Sequence, residues 1–140
     1  SSMAHHCQTK KKKLNPLRSA RILAYLNMGI MDAGIACWDA KYYYHYPRPV
    51  QAVSGFKTIL GTPNFPSYTS GHSTFSGAAA GILGQLFPDK KMQCDEWALE
   101  ASNSRIYGGI HYRYDCEAGL EAGYKISDFV LAIADKDGAN

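Results

Sequence analysis

Two prolines, Pro16 and Pro47, bracket a stretch with no proline inside it, and that stretch constrains the chain more than any other feature. Asn15 before Pro16 makes a helix start, Asn as the cap and Pro at the first helical position, where its missing N–H costs nothing. Ile22, Leu23, Leu26, Ile30, Ala33 and Cys37 then recur at three- and four-residue steps, which predicts one buried stripe on a helix running to about Tyr44. Pro47 stops it.

The remaining segments repeat this logic. Residues 50–60 read as a short helix or irregular segment leading into the turn-rich Gly61-Thr62-Pro63-Asn64-Phe65-Pro66. A second helix is expected from Ser70, with Phe75, Ala78, Ala79, Ile82, Leu83 and Leu86 as its apolar face, ending at Pro88-Asp89. A third runs from Cys94 to about Ile106, where Gly108-Gly109 breaks the pattern. Asp115 is the candidate cap of a last helix reaching about Asp135, with Gly138 as a stop signal. No strand alternation and no internal repeat are visible, so the expected class is all-α, a compact helical bundle.

At 140 residues the chain fits one domain, and such a chain removes roughly 68–70% of its unfolded surface from water on folding. Residues 1–14 are expected to be a flexible basic tail and 15–140 a single helical domain. The tail's Lys10–Lys13 run reads as solvated, and a formal charge of +3 gives no reason to assign a nucleic-acid partner. His5, His6 and Cys7 read as part of that tail rather than as a metal site. Cys7, Cys37, Cys94 and Cys116 form no C-x-x-C pair and are expected to be free, packed thiols. The longest weakly polar stretch, residues 77–87, is well short of the roughly 20 residues that cross a bilayer. No signal-peptide pattern opens the sequence. A soluble protein is expected, its compartment left open by the sequence, with periplasmic or secreted favoured over cytoplasmic.

Three clusters combine positive charge with a structural break. They are Lys41-Tyr-Tyr-Tyr-His-Tyr-Pro-Arg48-Pro49, Thr69-Ser70-Gly71-His72, and Ser104-Arg105 followed by His111-Tyr-Arg-Tyr-Asp115. Singly, each has a plain structural reading: a surface Lys and Arg, an N-cap Ser, a capping Asp. A helix N-terminus with free N–H groups, a hydroxyl and an imidazole is equally a ready anion site. In order and spacing the three resemble the signature of the type 2 phosphatidic acid phosphatase / vanadium haloperoxidase superfamily: K-x6-R-P, P-S-G-H, and S-R-x5-H-x3-D. Thr69 stands where the family has proline, a change that touches turn rigidity and brings no chemical group.

The resemblance implies one phosphate- or vanadate-binding site. Lys41, Arg48 and Arg105 are implied to neutralise a tetrahedral oxyanion, with Ser70 Oγ and the Gly71 N–H completing the cradle. His111 is implied as the axial group, oriented by Asp115, with His72 as the acid–base residue opposite. In a phosphatase His111 attacks phosphorus and no cofactor or divalent metal is needed. In a haloperoxidase the same residues hold vanadate through His111. Superfamily bundles also carry more helix ahead of the first motif than this sequence holds, so a further helix or a second copy is expected to cover the exposed face.

The segments between motifs are short, which resembles the small acid phosphatases and makes phosphoric monoester hydrolysis the leading reading. Trp38 and Phe65 point to the alternative, because they stand where chloroperoxidase-like members place halide-pocket aromatics; core packing is their plain reading. Tyr42, Tyr43, Tyr44 and Tyr46 are candidates for a substrate mouth, with some of them expected to face the core. A binding module without turnover is a third class. A serine hydrolase using Ser70 lacks the G-x-S-x-G elbow.

Overall fold

In the computed structural model, which describes residues 16–138, every regular element is helical. α1 is Pro16–Tyr44, α2 the single turn Pro49–Ala52, α3 Gly71–Leu86, α4 Lys91–Tyr107 and α5 Arg113–Ala134. A 3-10 turn, Pro88–Lys90, joins α3 to α4. The all-α class and the helical bundle are as expected, with no strand among the described residues. The predicted tail, including His5, His6, Cys7 and the lysine run, lies outside the described residues, as does the Asn15 cap.

α3 is the central helix and packs against α1, α4 and, most extensively, α5. Small residues permit this. A β-carbon on Gly123 of α5 would run into the Thr74 carbonyl oxygen and stand 2.7 Å from the Ala78 nitrogen, and one on Gly119 would lie 2.8 Å from Ser70 O. Backbone therefore meets backbone at the crossing, and the start of α3 is held against the first turns of α5. Two apolar clusters close the bundle: Tyr25, Ile82, Val130 and Ala134, and then Ala80, Cys94 and Ala98.

The limits of α1 match expectation at its described end, and its buried face matches in part, with Ile22, Leu26 and Ile30 half-buried. Tyr25, Gly29, Ala33, Cys37 and Lys41 point inward at strict four-residue steps. Ala33 and Cys37 belong to the predicted stripe, whereas Leu23 is 53% exposed. Ile82 of α3 approaches Gly29 so closely that a β-carbon there would overlap its Cδ1. The tightest contact follows the small residues, and the bulky ones flank it. Tyr25 is admitted because its hydroxyl donates to Asp137 Oδ2 at 2.7 Å.

Other boundaries shift for local reasons. α4 begins three residues before Cys94, at Lys91, which pairs with Asp95 at 2.7 Å one turn on. Residues 50–60 form only the end of α2 and an irregular segment. The last helix starts at Arg113, so Asp115 is not its leading cap; its Oδ2 instead reaches back to accept the Tyr112 N–H at 3.1 Å. Gly109, at φ 74°, takes the left-handed conformation that turns the chain inward after α4, delivering Ile110 and His111 to the interior. Among the described residues no helix is long and apolar enough to cross a membrane.

Candidate active site

Lys41 lies on the last inward step of α1 and is fully buried. Its ammonium donates to Pro66 O at 2.9 Å, Ser67 O at 3.0 Å and Thr69 O at 2.5 Å. An ammonium has three protons, so these carbonyls occupy all of them. The resemblance implies that Lys41 binds an oxygen of the anion; in the structure its ammonium holds the loop that leads into α3. Burial pushes its pKa from the ordinary 10.5 down to about 8, and Arg48 acts in the same direction.

Arg48 is buried to 1% exposure. Its Nε donates to Phe65 O at 3.0 Å, and its Nη1 to Ile110 O at 2.8 Å and to His111 Nε2 at 2.9 Å. Nη2 is buried with no partner in the protein. A guanidinium only donates, so His111 Nε2 must present its lone pair and the ring proton must sit on Nδ1. Asp115 Oδ2, 2.9 Å from Nδ1, receives it. The Ser67 hydroxyl donates to the same oxygen at 2.5 Å, and Asp115 Oδ1 is buried without a partner. Burial holds the His111 pKa below the ordinary value; the hydrogen bond to Asp115 opposes this and nearby Arg48 and Lys41 reinforce it.

The second motif opens α3. Ser70 caps it, accepting the Ser73 N–H at 3.4 Å, while the Ser70 N–H donates to Asp115 O at 2.9 Å. That bond ties the start of α3 directly to α5. Gly71 is half-buried, and a β-carbon there would only touch Trp38 at 3.5 Å and Phe75 at 3.7 Å. His72 is exposed. Burial of its ring and then the neighbouring Arg105 charge lower its pKa. Arg105, half-buried near the end of α4, donates from Nε to Ser104 Oγ at 3.0 Å. Lys41, Arg48, Ser70, His111 and Asp115 are therefore buried, while Gly71, His72 and Arg105 are accessible.

Trp38 and Phe65 stand beside the buried cations. Their ring centroids are 5.4 Å apart; Lys41 Nζ is 5.9 Å from the Trp38 ring and 5.3 Å from Phe65, and Arg48 Cζ is 5.2 Å from Phe65. These are cation–π distances. The expectation that some of Tyr42, Tyr43, Tyr44 and Tyr46 face the core is wrong: all four are exposed, because the inward step at the end of α1 is taken by Lys41. Tyr44 and Tyr46 instead join Tyr68, Tyr112 and Tyr114 in a band of ring contacts between 5.1 and 6.3 Å.

Ser67 was not singled out in the sequence. It is fully buried and touches both His111 and Asp115, yet a serine between Pro66 and Tyr68 in a turn-rich loop ordinarily reads as surface. Cys37, Cys94 and Cys116 are buried thiols, and Cys7 lies outside the described residues. Among the described residues no group of three or more His, Cys, Asp or Glu is placed to hold a metal ion.

An unpartnered buried guanidinium N–H, an imidazole presenting its lone pair and a helix N-terminus tied to Asp115 make a helical protein whose buried groups suit a tetrahedral oxyanion. Residues 21–138 match the PAP2 superfamily, and the chain belongs to it. It is 31% identical over 138 residues to vanadium chloroperoxidase of Curvularia inaequalis, covering 78% of this chain and 23% of that protein. It is 29% identical over 120 residues to lipid A 1-phosphatase of Rhizobium johnstonii, covering 83% and 49% respectively. The crystal structure of a bacterial vanadium-dependent iodoperoxidase superposes with a TM-score of 0.74 at 34% identity, over 79% of this chain and 32% of that one. The chain thus spans between about a quarter and a half of these relatives' lengths.

Proposed function

We propose that this chain hydrolyses phosphoric monoesters through a phosphohistidine at His111. The observation that carries the reading is the tautomer: Nε2 offers its lone pair while Nδ1–H is bound to the fully buried Asp115. Forming an N–P bond at Nε2 makes the ring cationic. A buried carboxylate on the opposite nitrogen stabilises that developing charge, a service needed more by a nucleophile than by a simple ligand.

The steps follow from the groups present. Arg48 and Arg105 bind phosphoryl oxygens, with Ser70 Oγ and the Gly71 N–H alongside and the Lys41 charge beneath. The His111 Nε2 lone pair forms the bond to phosphorus as the bond to the leaving oxygen breaks, and His72 delivers the proton that the leaving oxygen takes. Neutral His72 then removes a proton from water, which attacks phosphorus and releases phosphate and His111. The lowered pKa of His111 keeps it neutral, as a nucleophile must be, into mildly acidic solution. Charge neutralisation rests on the cations, so turnover requires no divalent metal.

A second reading is favoured by one observation: Trp38 and Phe65 wall the site against Lys41. The buried donors that suit phosphate suit vanadate equally, with His111, Arg48, Arg105, Ser70 and Gly71 as the residues that would hold it. Bound there, vanadate supplies peroxide activation for halide oxidation. The deciding experiment uses one preparation for two assays: para-nitrophenyl phosphate hydrolysis with and without EDTA, and dye bromination with vanadate, peroxide and bromide. EDTA-resistant phosphate release is expected. Bromination without phosphate release would replace the first reading by the second.

A further inference from the structure

We infer that Ser67 is a positioning residue for His111, acting through Asp115, an assignment that rests on the functional reading above for its kinetic consequence but not for its structural one. Three donors converge on a single oxygen, Asp115 Oδ2: Ser67 Oγ at 2.5 Å, His111 Nδ1 at 2.9 Å and Tyr112 N at 3.1 Å. The other oxygen, Oδ1, is buried and bonded to nothing. A carboxylate can turn about its Cβ–Cγ bond and exchange its two oxygens. Here the loaded oxygen is chosen by the groups that hold it, and the Tyr112 N–H, part-buried at a helix start, is the longer of the two bonds besides that of the imidazole. Ser67 is the buried side chain that fixes which oxygen faces His111.

The serine is itself held from both sides. Its N–H donates to Tyr46 O at 2.8 Å, and its carbonyl accepts from Lys41 Nζ at 3.0 Å. Its hydroxyl also stands 3.4 Å from His111 Nδ1, so it borders both members of the pair. A connected path thus runs from the Lys41 ammonium through the Ser67 backbone to its hydroxyl, then to Asp115 and the ring of His111. This gives the fully occupied Lys41 a second task. It immobilises the loop from which Ser67 reaches Asp115.

The test has a spectroscopic arm and a kinetic arm. In wild type, ring ¹⁵N spectra of His111, assigned by their absence in His111→Gln, should show the Nδ1–H tautomer with a slowly exchanging proton. An Nε2–H tautomer overturns the inference before any Ser67 variant is made. In Ser67→Ala the Nδ1 proton should exchange with water at least about tenfold faster, and kcat should fall by about 10- to 100-fold, the usual range for removing an outer hydrogen-bonding partner of an active group. KM should change by less than about threefold, because no anion contact is lost. Ser67→Thr keeps the hydroxyl and should lie closer to wild type than Ser67→Ala in both measurements; the reverse order overturns the inference, as does wild-type exchange in Ser67→Ala. A wild-type protein without phosphatase activity, whose Nδ1 proton nevertheless loses protection in Ser67→Ala, sinks the proposed reaction and leaves Ser67 in place.

Discussion

Replacing Asp115 by Asn and by Ala should separate two roles that the native carboxylate combines. The asparagine oxygen can take the place of Oδ2 and keep accepting from Ser67, His111 and Tyr112, while its amide occupies the position of the unpartnered Oδ1. Alanine leaves all three donors without an acceptor. Of these, the Tyr112 N–H is part-buried and within reach of water, and the Ser67 hydroxyl can rotate. The His111 Nδ1–H is left with only the long 3.4 Å approach to Ser67 Oγ, because moving its proton to Nε2 would set it against the Arg48 donor 2.9 Å away. A stranded donor costs about 1–3 kcal/mol and a lost bond to a charged group about 1.5–3 kcal/mol. Asp115→Ala should therefore lose about 3 kcal/mol or more and Asp115→Asn about 1 kcal/mol, which for a domain of this size is a fall in Tm of roughly 10 °C against roughly 3 °C. Activity should divide differently. Asn removes a negative charge next to an anion site, so phosphate should inhibit at least as tightly as in wild type, while kcat falls by about 10- to 100-fold. Thermal unfolding and phosphate-inhibited para-nitrophenyl phosphate hydrolysis measure both. Weaker phosphate binding by Asp115→Asn, or an unchanged kcat, would refute the role given to the carboxylate.

Replacing His111 by Ala should abolish turnover while Arg48 and Arg105 still attract phosphate; isothermal titration should show the preference of wild type for vanadate over phosphate largely gone. Gly123→Ala should destabilise by about 2 kcal/mol, since overpacking against the Thr74 and Ala78 backbone outweighs the gain in helix propensity. Gly61→Ala, with nothing within 4 Å of its β-carbon, should be neutral in the same denaturant titration. Phosphate affinity should decline as pH rises through about 8, because that is where buried Lys41 loses its proton. The unfolded chain keeps the same proton to near 10.5, so it binds more protons between these limits, and the Lys41 contribution to stability should improve with pH across that window.

What was legible in the sequence was whatever depends on near neighbours in the chain. Pro16 and Pro47 bound α1, the Ser70 cap and the Gly109 turn act within a few residues, and the three motifs are ordered by their own spacing. The buried face of α1 was read only in part because its centre is chosen from outside: Ile82, more than fifty residues away, presses on Gly29 and moves the bulkier Ile22, Leu26 and Ile30 to the flank. Lys41 was singled out as a site residue, but three carbonyls of a loop 25–28 residues later take its protons, and no local pattern announces that. Ser67 was passed over for the same reason. Its partner Asp115 lies 48 residues on, and only the close crossing of α3 and α5 brings the two together.

The two unpartnered atoms of the site are informative in combination. Arg48 Nη2 and Asp115 Oδ1 are both buried, of opposite charge, and on residues that already bond to His111 from its two sides, yet neither satisfies the other. A buried polar group left unpaired costs about 1–3 kcal/mol, and a fold selected for stability alone would have turned one toward the other. Nη2 is therefore a donor held ready for an acceptor that the protein does not itself provide. The same guanidinium also covers His111, since its Nη1 donates to the Nε2 lone pair. An oxyanion that accepts from Nη2 competes for Nη1 as well, because a guanidinium edge binds two oxygens of one tetrahedral group. In the proposed reaction, drawing Nη1 away from His111 would uncover the lone pair that is to meet phosphorus. On the proposed reading, binding the oxyanion and freeing His111 would be one movement of Arg48, with Asp115 and Ser67 holding the imidazole.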